Sequence, residues 1–180
     1  MWLARVLSQF ASLCYGHGKL TKASELSRKS IEQLTLARQQ SPHSARYANL
    51  LAWELAESPD PALRDTSRAV ELAEFAVDRA PLAAFYWNTL GVARFRNDDS
   101  EAAIVALKKS ILLSEESAYD AFYLAMAYAQ AGQKQLAQQW FDKGVKLKSD
   151  DPLFSGNALA LVEKEAKAML DKAVKLEVAK

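Results

Sequence analysis

The sequence predicts an all-α protein, a solenoid of about four helix pairs followed by one further helix. Three observations carry this prediction. Apolar residues recur at three- and four-residue spacing in every segment, and no segment alternates with a period of two. Small and apolar positions return at a fixed interval: Leu90 and Leu124, Gly91 and Ala125, and Ala103 and Ala137 are each about 34 residues apart. Breakers stand between the helical stretches at Gly16-His17-Gly18, Ser41-Pro42, Pro59-Asp60-Pro61, Pro81 and Gly132. An antiparallel bundle also places small residues at helix contacts, but it needs no constant repeat length.

Taken in order, residues 3–15 carry Leu3, Val6, Leu7, Phe10, Leu13 and Cys14 at helical spacing. A second helix over 21–39 puts Ala23, Leu26, Ile31 and Leu34 on one face. A third, over 44–57, carries Leu51, Ala52 and Leu55. Its partner does not begin at once, because the two prolines at 59 and 61 prevent it. Asp65 is the expected N-cap of the next helix, its carboxylate accepting the free amides of the first turn. That helix carries Ala69, Leu72, Ala73, Ala76 and Val77. Helices follow over 82–96 and 100–113, with Asp98, Asp99 and Ser100 supplying charge and cap between them. Two more run over 117–131 and 134–147, joined at Gly132. From 157 a long helix sets Leu159, Val162, Ala166, Met169, Ala173 and Leu176 in one stripe, with Lys164, Lys167, Lys172 and Lys175 among Glu163, Glu165 and Asp171. That stripe suits either a cover for the last repeat, laid on the helix of Trp140 and Phe141, or a coiled-coil seam.

The spacing also matches a known signature. Trp87, Leu90 and Gly91 fill the first places of W-x2-L-G-x2-Y, and Leu124, Ala125 and Tyr128 fill the same frame one repeat later, followed by Ala137-x3-Phe141. The chain therefore resembles a tetratricopeptide-repeat (TPR) protein. The resemblance implies a right-handed α-solenoid of about four TPR helix pairs plus a C-terminal capping helix. It divides a single domain, 1–180, into a degenerate repeat (1–43), a repeat with a longer loop (44–83), two further repeats (84–117 and 118–151) and the capping helix (152–180). Gly91 and Ala125 allow the second helix to approach the first, and Ala103 and Ala137 are their small counterparts. Ser27 stands where an aromatic is expected, and Arg94 where the signature has Tyr, which either loosens the packing of that repeat or makes Phe95 the filler. The segment 49–91 is similar to repeats of planctomycete bacteria that often stand carboxy-terminal to serine/threonine kinase domains. It implies nothing about a kinase in this chain itself.

Composition narrows the function. Lys and Arg number 23 against 22 Asp and Glu, so no basic face for nucleic acid is expected. Half of the chain is apolar, enough for a substantial core. The lone cysteine, Cys14, excludes an internal disulfide and suits a reducing, cytoplasmic setting; a buried, inert thiol is expected there. His17 and His43 both fall in turns, so neither a metal site nor another cofactor is expected. No apolar run is long enough to cross a membrane. The apolar start is broken by Arg5, Ser8 and Gln9 and carries no small-residue cleavage site, which argues against a secretion signal.

No phosphate loop, nucleophile elbow or zinc-protease motif occurs, so no catalytic residue is assigned and no enzyme is expected. What remains is recognition. The first helix of each repeat lines the concave face of such a solenoid. There the sequence places Asn49, Trp53, Phe85, Asn88, Val92, Phe95, Arg96, Phe122 and Met126 as a candidate peptide groove. Amides bind peptide backbone, while aromatics and Met take apolar side chains. Trp53 and Phe122 are equally compatible with a core role. Chaperone-binding family members grip a terminal carboxylate with Lys and Asn; no Lys stands beside Asn49 and Asn88, so that clamp is not implied. Two functions stay open. One is an adaptor for a protein or peptide partner. The other is an assembly element acting through the solenoid ends, with self-association through the N-terminal helix, or the regulatory part of a larger, kinase-like protein.

Overall fold

The computed structural model describes residues 2–150 and 157–178, with side chains described as far as residue 172 within the last helix. Nine α-helices occupy the described residues, with no strand among them. They are α1 (Trp2–Gly16), α2 (Leu20–Gln40), α3 (Ala45–Glu57), α4 (Thr66–Arg79), α5 (Ala84–Arg96), α6 (Ser100–Leu113), α7 (Ala118–Gln130), α8 (Lys134–Asp150) and α9 (Asn157–Val178). Met1, residues 151–156 and 179–180, and the side chains of Ala173, Lys175 and Leu176, lie outside the described residues.

Local chemistry sets the boundaries. Asp65 and Asp99 accept the amides of Arg68 and Ala102 at 3.1 and 3.2 Å, as their carboxylates should at a helix start. Ser44 and Ser117 cap α3 and α7 in the same way. The tight turns inside the helix pairs need a left-handed residue. Gly18 (φ 72°) and Gly132 (φ 75°) supply it, and Asp98 adopts it at φ 61° in the corresponding turn of the third pair. The second pair takes another route: the loop after α3 makes a 3-10 turn, Pro61–Leu63, opened by Asp60.

Each odd-numbered helix packs along the even-numbered one that follows it. The contact is closest where side chains are missing. A Cβ on Gly91 would stand 2.5 Å from Leu107 Cγ, so only glycine lets α5 lie this near α6. Gly144 does the same in the fourth pair, where a Cβ would meet the Phe122 ring at 2.7 Å. Phe95 packs edge-on to Tyr123 of α7 at 6.0 Å, while Arg94 stays on the other side of α5 and pairs with Glu74 of α4. Ser27, where the repeat would have an aromatic, is fully buried with a hydroxyl that has no partner among the described residues. Cys14 is only half-buried, because α1 is the outermost layer of the stack.

The odd-numbered helices form the inner layer: α3 touches α5, α5 touches α7, and α7 touches α9. The last helix is the departure from expectation. It packs chiefly on α7, and less on α8, the helix of Trp140 and Phe141. It also reaches α1, so the last described helix meets the first across the inner face. Leu159, Val162, Ala166 and Leu170 are buried in the same core as Phe122, Met126 and Phe141. The described part of the stripe, Leu159 to Leu170, is buried within the chain, as a cover rather than a coiled-coil seam.

Candidate functional site

The inner helices α1, α3, α5 and α7, with α9 laid over them and the loop after α3 at one side, line a half-open cavity of about 410 Å3. Its wall combines aromatic and charged groups: Tyr15, Trp53 and Tyr119, with Glu54, Glu57, Arg64, Arg96, Lys164 and Glu165. The rest is small or apolar, notably Ser8, Ser12, Ala158 and Leu161.

Arg96, the last residue of α5, joins four helices. Its Nε donates to Glu57 of α3 at 2.5 Å. Its two terminal nitrogens donate to both carboxylate oxygens of Glu165 on α9, one of them at 2.7 Å. The Tyr123 hydroxyl of α7 donates to the other Glu57 oxygen. The guanidinium also sits against the Phe95 and Tyr123 rings, at 5.2 and 5.8 Å from their centroids. Arg96 and Glu57 are 10% and 14% exposed, so the bond between them is largely removed from water, whereas Glu165, which completes the bidentate fork, is 40% exposed. Burial works against the Arg96 charge, but Glu165 and Glu57 outweigh it and hold the group protonated. Burial also pushes the Tyr123 hydroxyl well up, so it stays a donor.

Glu54 sits apart from this network on the same wall. Burial pushes its pKa up to about 7, against hydrogen bonding with Ser8 and Ser30. Ser30 already donates its proton to the Ala4 carbonyl at 3.0 Å.

The nine residues expected in the groove divide sharply. Trp53 and Arg96 line the cavity. Phe85 is 59% exposed, edge-on to Tyr86. Asn88 donates to Asp120 at 2.9 Å, tying α5 to α7, so that donor is engaged. Asn49 is buried, and its side-chain oxygen has no partner among the described residues. Val92, Phe95, Phe122 and Met126 are core residues that offer no surface, because the inner helices lie against one another and under α9. Glu54, Glu57, Tyr123 and Glu165 escaped the sequence reading. A signal for one pair exists: Glu57 and Arg96 hold the same repeat position once the longer loop is allowed for, with opposite charge. Among the described residues no group of His, Cys, Asp and Glu is placed to hold a metal ion, and no helix is long and apolar enough to cross a membrane.

Comparison with known proteins places this architecture. The tetratricopeptide repeat family matches residues 122–151, most of the α7–α8 pair. No curated protein sequence matches the chain significantly. Among solved structures, a crystal structure of the MamA protein superposes with a TM-score of 0.57 at 23% identity, over 93% of this chain and 87% of that one. A second crystal structure of MamA gives 0.57 at 23%, over 91% and 95%. A double mutant titled MamA RS-1 ArsTM gives 0.57 at 16%, over 98% and 95%. The fold is thus a TPR-like solenoid, with the repeat itself recognised at residues 122–151.

Proposed function

We propose that the chain is a non-enzymatic protein-interaction scaffold that holds a peptide or protein segment on its inner, odd-helix face. One observation carries the reading: the cavity under α9 joins aromatic rings, apolar surface and paired charges on a rigid wall of helices, the make-up of a recognition site. In this proposal Trp53 and Arg96 contact the segment directly, and Phe85 and Asn88 extend the surface at the start of α5. Asn49 and the buried set Val92, Phe95, Phe122 and Met126 shape the wall from behind. No cofactor takes part, and neither nucleic acid nor membrane is a partner. A reducing, cytoplasmic setting belongs to the same reading.

The test is a peptide library selected on the purified protein. Binders should weaken at least ten-fold with Trp53→Ala or Arg96→Ala and stay unchanged with Leu112→Ala on an outer helix. Binders insensitive to all inner-face changes would refute the proposal. A second reading, assembly through the solenoid end, is supported by the apolar surface of α1, where Trp2 is 78% exposed and Leu3 and Phe10 about half. Light scattering from dilute to high protein concentration tests it; a constant monomer removes it. A regulatory place in a larger, kinase-like protein rests on the likeness of segment 49–91 alone.

A further inference from the structure

Helix α9 is itself an amphipathic segment seated on the inner face, and the way it sits describes what that face accepts. Among the described residues its buried ones are Leu159, Val162, Ala166 and Leu170, and between them Glu165 takes both terminal nitrogens of Arg96. Neither Arg96 nor Glu57 needs α9 to stay in place: Glu57 and the Phe95 and Tyr123 rings hold the guanidinium from α3, α5 and α7. The receptor side of the ion pair is therefore built by the solenoid, and to that pair α9 contributes the acid. The fit is incomplete, since α9 presents Ala158 to a cavity of about 410 Å3 that remains beneath it. A partner helix with a larger residue there would bury more surface than the resident one.

We infer that α9 is an exchangeable occupant, and that the inner face docks an amphipathic helix carrying an acidic residue one turn beyond an apolar pair, in the register of Leu159, Val162 and Glu165. The inference rests on the inner face being the binding face, and it names both the class of partner and the internal competitor. Being covalently attached, α9 competes at an effective concentration in the millimolar range. Weakening its grip should therefore strengthen binding from outside.

The probe is a synthetic peptide of residues 157–178, labelled and titrated into the full chain. The wild-type chain should bind it weakly. The Glu165→Ala chain should bind the same peptide about ten- to a hundred-fold more tightly, since losing a charge-assisted pair loosens the internal helix by that factor. A peptide carrying Glu165→Ala should show no such gain, and neither should an Arg96→Ala chain, which has lost the receptor for both helices. Glu165→Gln, which keeps shape and one hydrogen bond, should lie between and guards against misfolding of the Ala variant; circular dichroism reports the fold of each. Equal affinity of the wild-type and both Glu165 chains for the peptide overturns the inference. If those chains ignore the peptide while library binders still depend on Trp53, the inference fails and the inner-face reading stands. If no binder depends on the inner face, both fail.

Discussion

Glu54→Gln should make the protein more stable at neutral and alkaline pH and change little in mild acid. Glu54 is 7% exposed, and no cation among the described residues bonds to it. Its folded pKa is about 7 against an ordinary 4.5. Because the folded value is the higher, the native state binds the proton more tightly, so stability is full below 4.5 and is lost as pH rises towards 7. The shift corresponds to about 3 kcal/mol, at 1.36 kcal/mol for each pKa unit. About 2.5 kcal/mol of that falls between pH 5 and pH 8.

Gln keeps the size and removes the charge. Chemical denaturation of both proteins at several pH values, taken as a difference, cancels every other titrating group, including Glu57, Glu165 and the Arg and Lys residues that share the cavity wall. The difference should grow by about 2–3 kcal/mol in favour of Glu54→Gln from pH 5 to pH 8. In a chain of this size that is a melting-temperature gap widening by roughly 5–10 °C. A difference that does not vary with pH would show that Glu54 is charged throughout and that the cavity is wetter than its walls imply.

Other perturbations test the packing. Gly91→Ala should destabilise by about 1–2 kcal/mol net, the clash with Leu107 outweighing a helix-propensity gain of about 1 kcal/mol, and thermal melts would register it. Ser27→Ala should stabilise by about 1 kcal/mol in the same assay, because it removes a buried hydroxyl that has no partner among the described residues. Ending the chain at residue 151 should lower the melting temperature or cause aggregation, since it uncovers Phe122 and Met126 on α7; a truncated protein as stable as the full chain would remove the covering role of α9.

Much of this architecture is legible in the sequence because helices announce themselves locally. The breaks at Gly18, Pro59, Pro61 and Gly132 and the caps at Asp65 and Asp99 depend on a few neighbouring residues, and they lie where the pattern places them. Gly91 is legible as a close approach because the repeat frame names its partner helix. Gly144 performs the same role unannounced, for it lies outside the signature. The inner face was harder. A fixed period says which helices are neighbours, but the small rotation between successive pairs accumulates, and only its sum decides whether α9 meets α1. That closure converts Phe122 and Met126 from groove candidates to core, and gives Arg96 partners 39 and 69 residues away. No local pattern carries those distances.

The account's central claim is that α9 occupies the inner face and gives way to a helix of its own kind. Pulsed electron–electron spin resonance tests it most directly, with Gln9→Cys on α1 and Lys164→Cys on α9 labelled in a Cys14→Ser chain. The free protein should give one narrow, short distance. The Glu165→Ala version, saturated with the 157–178 peptide, should move to a broad and longer distribution as α9 leaves α1. An unchanged short distance with the peptide demonstrably bound would put the binding surface elsewhere and contradict the claim.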